Sequence, residues 1–199
     1  MIDITLTIKK GMKVYRNKQE KQPKFEKAIN DYVYETDVEM NLHTGSHIDF
    51  PLHMIPGGKT SDDYEIDQFM GNSYVLDCSY VENCITKEDL KAVDIAAYDI
   101  ILFKTKNSEI SEFNPEFIYV SESAARYLAL FDLKAVGIDG LGIERSQNGH
   151  PTHKALLRSD ILIYEGLNLK DVPQGAYEFI GLPTKIGGVE AAPVRAILR

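Results

Sequence analysis

The sequence predicts an α/β fold built on a mixed sheet, and three observations predict it. Short β-branched runs recur along the chain as buried strands do, capped helical stretches lie between the central ones, and the two ends are rich in strand-like runs. The strand–helix alternation in the middle indicates a partly parallel sheet. The strand-rich ends indicate a mixed sheet or a second layer.

Taken in order, IDITLTI (2–8) reads as a strand. It carries an acid and alternating polar residues, not the basic stretch and apolar run of a signal peptide. Residues 9–31, including KKGMKVYRNKQEKQPKF, are basic, turn-rich and irregular. TDVEMNLH (36–43) alternates polar and apolar residues, as a strand with one wet face should. Residues 50–72 are rich in Pro, Gly and Asp and read as loop. SYVLDCS (73–79) is the next strand. Thr86 then opens T-K-E-D, a capping-box start for a short helix through about Val93. DIILFKT (99–105) is an apolar strand, and Ser121 opens SESAARYLALF, whose apolar residues fit a helix packed on a sheet. KAVGID (134–139) is a strand and HKALLR (153–158) a turn or two of helix. DILIYEG (160–166), YEFIGLP (177–183) and PVRAIL (193–198) complete the strands. No repeat, low-complexity tract or linker divides the chain, so residues 1–199 read as a single domain.

Composition narrows the function. Apolar residues make up 44% and charged residues 26%, as in an ordinary globular protein, and the formal net charge of −8 argues against nucleic-acid or anionic-membrane partners. No apolar run reaches eighteen residues, so no transmembrane helix is expected. Cys78 and Cys84 stand in no CxxC pair and beside no histidine, and read as reduced cysteines of a cytoplasmic protein. Phosphate-binding glycine motifs are absent.

The chemistry concentrates in HTGSHIDFPLH (43–53), which holds three of the five histidines. In an extended segment, side chains two apart share a face. His47 and Asp49 therefore point the same way, with Ile48 turned into the core. Gly45 permits a turn that brings His43 round beside His47. Two neutral imidazoles and a carboxylate suit Zn²⁺, Mn²⁺ or Fe²⁺. Pro51 ends regular pairing, which leaves His53 near the cluster yet free for a role other than ligation. The remaining histidines, His150 and His153, lie together in GHPTHKALL, and Glu165 terminates the apolar strand ILIYE. A carboxylate there requires a partner, and a metal ion is one. His150 reads as a contact behind the metal ligands or as an exposed loop residue. Glu144 and Arg145 read as pocket-lining or as a salt bridge, and Asp139 as structural or supporting.

The segment HTGSHIDFPLH resembles the signature HxGTHxDxPxH of the metal-dependent cyclase family, which includes bacterial kynurenine formamidases and isatin hydrolases. Ser46 stands for the usual threonine. GMKVYRN, VGIDGLGIERS, HPTHKALLRSDILIYEGL and LPTKIGGVEAAPVRAIL are similar to family segments in the same order, so the resemblance covers nearly the whole chain. It implies a layered β/β/α, swivelling-domain-like arrangement with a mixed sheet, in homodimers or tetramers. It further implies that His43, His47, Asp49, His153 and Glu165 ligate one or two divalent ions, Zn²⁺ or Mn²⁺, with Asp49 able to bridge. His53 matches the catalytic acid/base and Tyr15 the position that packs against substrate. The family's usual tryptophan is missing there, and the loop around Tyr15 is lysine-rich rather than proline-rich.

The expected activity is hydrolysis of a small amide, formamide, lactam or lactone by a metal-activated water, as in the arylformamidases of tryptophan catabolism. A metal-dependent cyclase or dehydratase and a non-catalytic binding relative are the alternatives. The expected partner is a small-molecule substrate, with neither nucleic acid nor membrane.

Overall fold

The computed structural model describes residues 1–199. The strands in chain order are β1 (Ile2–Asp3), β2 (Lys24–Asn30), β3 (Val33–Glu39), β4 (His47–Asp49), β5 (Met70–Asp77), β6 (Cys84–Ile85), β7 (Ile100–Lys104), β8 (Tyr119–Val120), β9 (Ala135–Ile138), β10 (Leu162–Glu165), β11 (Gly175–Pro183) and β12 (Ala191–Leu198). Three helices accompany them: α1 (Lys87–Leu90), α2 (Glu122–Leu128) and α3 (Pro151–Arg158).

The large sheet runs β1-β12-β11-β5-β7-β9-β10-β4, and β4 also pairs with β12. Seven strands therefore close on themselves, with β1 appended outside. The central pairs β5–β7, β7–β9 and β9–β10 are parallel, while β11, β12 and β4 join antiparallel. The mixed α/β sheet expected from sequence is present.

Successive residues of the central strands serve two cores, as period-two geometry requires. Ile100, Leu102, Leu162 and Tyr164 point inside the closed sheet, against Ile48, Phe50 and Phe179. Ile101, Phe103, Val136 and Ile163 point outward onto Leu90 of α1, Leu128 of α2 and Leu156 of α3. Strands buried on both faces read as continuous apolar runs, which is why DIILFKT and ILIYE lack alternation. The two sheet walls and the outer helices form the β/β/α layers.

The caps read from sequence are in place. Thr86 and Asp89 form a reciprocal capping box on α1, and the Ser121 hydroxyl accepts from Ala124 N–H at the start of α2. α1 is shorter than expected and stops at Leu90. The amides of Lys91 and Val93 reach back only three residues, which winds the helix down.

Three strand expectations change. Residues 2–8 pair regularly only at Ile2 and Asp3, because Leu6 gives its N–H to the Ser46 hydroxyl instead of a neighbouring strand (2.8 Å). The strand expected at 36–43 is β3 and ends at Glu39. Asn41 then turns the chain, its side-chain oxygen accepting from His43 N–H and its carbonyl from Thr44 N–H (both 3.0 Å). The stretch 9–31 is not wholly irregular, since it contains β2. Together β2 and β3 form a hairpin in which every residue is exposed.

Candidate metal centre

The centre forms where β4, the end of β10 and the start of α3 meet. Antiparallel register sets His47 directly opposite Glu165, and Ile48 opposite Tyr164. Ile48 is fully buried in the inner core, so His47 and Asp49 face the other way, as their spacing predicts. Gly45 adopts φ +76°, the left-handed turn that carries His43 back over the strand. A second constraint fixes this turn from outside. Gly166 has φ +67°, and a Cβ there would lie 2.5 Å from the Gly45 carbonyl oxygen. The Ser46 hydroxyl joins these segments, donating to the Gly166 carbonyl (2.6 Å) while accepting from Leu6 N–H.

The donor atoms converge. His47 Nε2 lies 3.5 Å from Asp49 Oδ1 and 3.4 Å from Glu165 Oε2. His153 Nε2 lies 3.3 Å from Glu165 Oε1 and 3.7 Å from Asp49 Oδ2. His43 Nδ1 lies 3.0 Å from Asp49 Oδ1, and its Nε2 is 3.3 Å from Glu190. Two groupings have mutual donor distances within 4.8 Å and share Asp49, namely His47–Asp49–Glu165 and His43–Asp49–His53. Sequence elements more than a hundred residues apart are thus brought to one point.

The hydrogen bonds behind these atoms test whether a cation fits. His47 Nδ1 is 3.0 Å from the Gly45 carbonyl, which can only accept, so Nδ1 carries the proton and Nε2 presents a lone pair. His153 Nδ1 is 2.8 Å from Glu144 Oε1, so its Nε2 is likewise a lone-pair donor. His47 Nε2 and both Asp49 oxygens are buried without a hydrogen-bond partner. Lone pairs and carboxylates facing each other in a dry site are costly unless a cation lies between them. The residues present fit a divalent ion.

The electrostatics agree. Burial and the Glu165 charge push the Asp49 carboxyl upward, but His43 and His47 outweigh them and hold it below its ordinary pKa. Burial likewise works against ionised Glu165, and the His153 and His47 imidazoles that face it hold it well below the usual range. His53 behaves differently. Burial holds its pKa below the ordinary value, His43 and His153 adding to the effect against the opposing charges of Asp49 and Glu165. Its ring centroid lies 4.3 Å from that of His43 and 5.6 Å from that of His153. The structure thus sets the His53 imidazole beside the donor cluster.

Glu144 is the residue whose place the sequence left open. It is fully buried, with Oε1 accepting from His150 Nδ1 (2.9 Å) and His153 Nδ1 (2.8 Å) and Oε2 from Thr152 N–H (2.8 Å). Only its position shortly before two histidines hinted at this. His150 is therefore behind the donor cluster, not in it. Arg145 is a wall residue, bound to Glu116 and to the Phe117 carbonyl. Asp139 is structural and accepts from Thr105 and Ser108. Tyr15 lines the cavity in front of the donors, packed edge-on against Phe113 and Phe117 with centroids at 5.1 and 6.4 Å.

Comparison with known proteins agrees with the fold. The Cyclase family model matches residues 2–145. The kynurenine formamidase of Salinibacter ruber is 33% identical over 205 residues, which cover 100% of this chain and 97% of that protein. A solved structure described as a potential metal-dependent hydrolase with cyclase activity is 48% identical with TM-score 0.92, covering 98% of this chain and 95% of that one. Isatin hydrolase A from Labrenzia aggregata shares the fold, at TM-score 0.82 and 21% identity, covering 99% of this chain and 92% of that one. A closed mixed sheet, a buried His/Asp/Glu donor set and this likeness along the whole length lead to one conclusion: the chain belongs to the Cyclase family.

Proposed function

We propose that this protein is a metal-dependent hydrolase that cleaves the carbon–nitrogen bond of a small amide, formamide or lactam, or the ester bond of a lactone. The observation that carries the reading is the set of buried, unpartnered donors, His47 Nε2 and both Asp49 oxygens, facing Glu165 and His153. His43, His47, Asp49, His153 and Glu165 would hold one or two divalent ions, Zn²⁺ or Mn²⁺. Bound there, such an ion supplies a Lewis acid that acidifies water and polarises a carbonyl.

The chain's own residues do the rest. His53, held neutral by burial, takes the proton of the attacking water and returns it to the leaving nitrogen or oxygen. Glu144 accepts from Nδ1 of His153 and so keeps its Nε2 lone pair aimed at the centre. The Tyr15 ring packs against the substrate. The cavity they share is about 190 Å³, below the ~300–1,000 Å³ of pockets that take drug-sized ligands, so the substrate is small. The name of the Salinibacter ruber relative makes a formamide the first candidate.

The same proposal treats residues 1–199 as one catalytic domain working in the cytoplasm as a homo-oligomer. No helix is long and apolar enough to cross a membrane. The β2–β3 hairpin supports the oligomer. Register sets Phe25 opposite Val38 and Ile29 opposite Tyr34 on one face, with Ile29 64% and Tyr34 77% exposed. A lone two-stranded hairpin is marginal in water, so a second copy covering this face would stabilise it. The hairpin carries five acids and two lysines, and the groove at its base is lined by Lys9, Lys10 and Lys13. These charges are complementary between copies.

The test is metal analysis of the purified protein with a hydrolysis screen over formamides, lactams and lactones, repeated on His53→Ala. The variant is expected to keep its metal and lose turnover. Loss of both, or of neither, rejects the role given to His53. The cyclase activity attributed to the 48%-identical structure favours a second reading, ring closure or dehydration at the same centre, which product analysis separates from hydrolysis.

A further inference from the structure

The three imidazoles of the donor set are not turned the same way. His47 and His153 each hold Nδ1 back, against the Gly45 carbonyl and Glu144 respectively, and send Nε2 to the centre. His43 is reversed. Its Nδ1 lies 3.0 Å from Asp49 Oδ1, and its Nε2 lies 3.3 Å from Glu190 Oε1.

Two observations place the proton of the neutral His43 ring. The contact of Nε2 with Glu190 has hydrogen-bond geometry, and a carboxylate oxygen can only accept. Asp49 Oδ1, although nearer, is buried with no hydrogen-bond partner, so no N–H of His43 is aimed at it. Nε2 therefore carries the proton, and Nδ1 presents its lone pair beside Asp49.

Glu190 is built into this position. Its carbonyl accepts from Phe50 N–H (2.9 Å), and the residues after it enter β12 in register with β4, Ala191 opposite Asp49 and Ala192 opposite Ile48. One residue earlier, the Val189 carbonyl accepts from Ser61 N–H (3.1 Å). The backbone is thus fixed on both sides, and the carboxylate has His43 as its one hydrogen-bonding partner. His43 lines the cavity and Glu190 does not, so the carboxylate stands behind the ring. The ring in turn is packed between His47 and His53, with centroids at 5.0 and 4.3 Å.

We propose that Glu190 is the positioning residue of His43: by accepting from Nε2–H it turns the Nδ1 lone pair to the centre, so that His43 holds an ion through Nδ1 while His47 and His153 hold it through Nε2. The assignment rests on the metal-centre reading and names which nitrogen each histidine offers and what fixes the odd one. Glu190 acts through His43 alone, whereas Glu144 serves His150 and His153. Its side chain is 38% exposed, so water replaces part of what it supplies when it is removed.

The test reads tautomer and affinity on the whole protein. With histidine labelled by ¹⁵N, long-range proton–nitrogen spectra of the Zn²⁺-loaded protein should show His43 protonated on Nε2, and His47 and His153 protonated on Nδ1. His43→Gln assigns the His43 signals by their loss. In competition against a chelator, Glu190→Ala should weaken Zn²⁺ binding about tenfold, the low end for an orienting partner, with far-UV circular dichroism unchanged. Glu190→Gln keeps an acceptor oxygen without the charge, so it should retain the Nε2–H tautomer and bind more tightly than Glu190→Ala. In a His43→Gln background, Glu190→Ala should cost nothing further, because the ring it orients is gone. His43 protonated on Nδ1 in the loaded wild type overturns the assignment. So does Glu190→Ala binding as tightly as wild type, or the same tenfold loss in the His43→Gln background. A wild type that takes up no divalent ion in the same competition rejects the metal-centre reading itself, and the assignment falls with it.

Discussion

Glu144→Gln offers a direct measure of how far the donor cluster depends on what stands behind it. Glu144 is fully buried, and its two oxygens accept three hydrogen bonds, two from imidazole Nδ1 atoms and one from Thr152 N–H. Burial alone would push its carboxyl upward, but the bonds from His153, then the Thr152 amide and the His150 charge, hold it below the ordinary value. It is therefore ionised at neutral pH, and its bonds are charge-assisted. Glutamine keeps the volume but supplies one acceptor oxygen and one NH₂. Whichever way the amide is turned, a donor faces either Thr152 N–H or the two imidazole N–H groups. A charge-assisted bond of about 1.5–3 kcal/mol is lost, and a buried donor is left unmet. If His153 then loses its fixed orientation, metal affinity should fall about 10–100-fold, the usual cost of removing such a supporting carboxylate. The assay is competition against a chelator of known affinity, read by calorimetry, alongside far-UV circular dichroism to confirm the fold. His150→Gln is the control and should cost much less, since His150 is not itself in the cluster. A folded Glu144→Gln protein that binds Zn²⁺ as tightly as wild type would refute the reasoning.

Three further outcomes follow from separate features. Ser46→Ala removes a buried hydroxyl that satisfies both Leu6 N–H and the Gly166 carbonyl, so urea unfolding should show a loss of about 1–3 kcal/mol, with Ser46→Thr near wild type. Asp139 is pushed up to about 6 by burial, against hydrogen bonds from Thr105 and Ser108. Because the folded value is the higher one, its share of stability is full below pH 3.8 and is lost as pH rises through about 6. The difference in unfolding free energy between wild type and Asp139→Asn should accordingly shrink between pH 4 and 6.5 by up to about 3 kcal/mol, and a constant difference would count against it. Finally, if the proposed homo-oligomer forms through the exposed hairpin face, Ile29→Asp combined with Tyr34→Asp should give monomers in light scattering where wild type gives a larger mass, with secondary structure retained. A wild-type mass distribution would remove the hairpin from the interface.

The sequence was most informative where chemistry is local. His47, Ile48 and Asp49 are adjacent, so period-two alternation alone set which side chains share a face, and Gly45 marked the turn beside them. The apolar runs at 99–105 and 160–166 were legible because strands covered on both faces need no polar residues. Glu144 was not legible, since nothing in GIERS shows that a buried carboxylate will face a helix start eight residues on. The short first strand was hidden for a similar reason, because the Ser46 hydroxyl that takes Leu6 N–H is forty residues away. The hairpin was half read. KFEKAIN has lysines and an alanine within its alternation, and its pattern makes sense only once Val33–Glu39 lies beside it in register.

The strand that completes the closed sheet, β4, is three residues long, and two of those three, His47 and Asp49, are donors. Its neighbours on either side are β10, which ends in Glu165, and β12. An ion gripping β4, β10 and the first turn of α3 would therefore act as a rivet on the cylinder wall. Stripped of it, the protein should breathe first along this joint, and amide exchange at Ile48 and Asp49 should quicken well ahead of global unfolding.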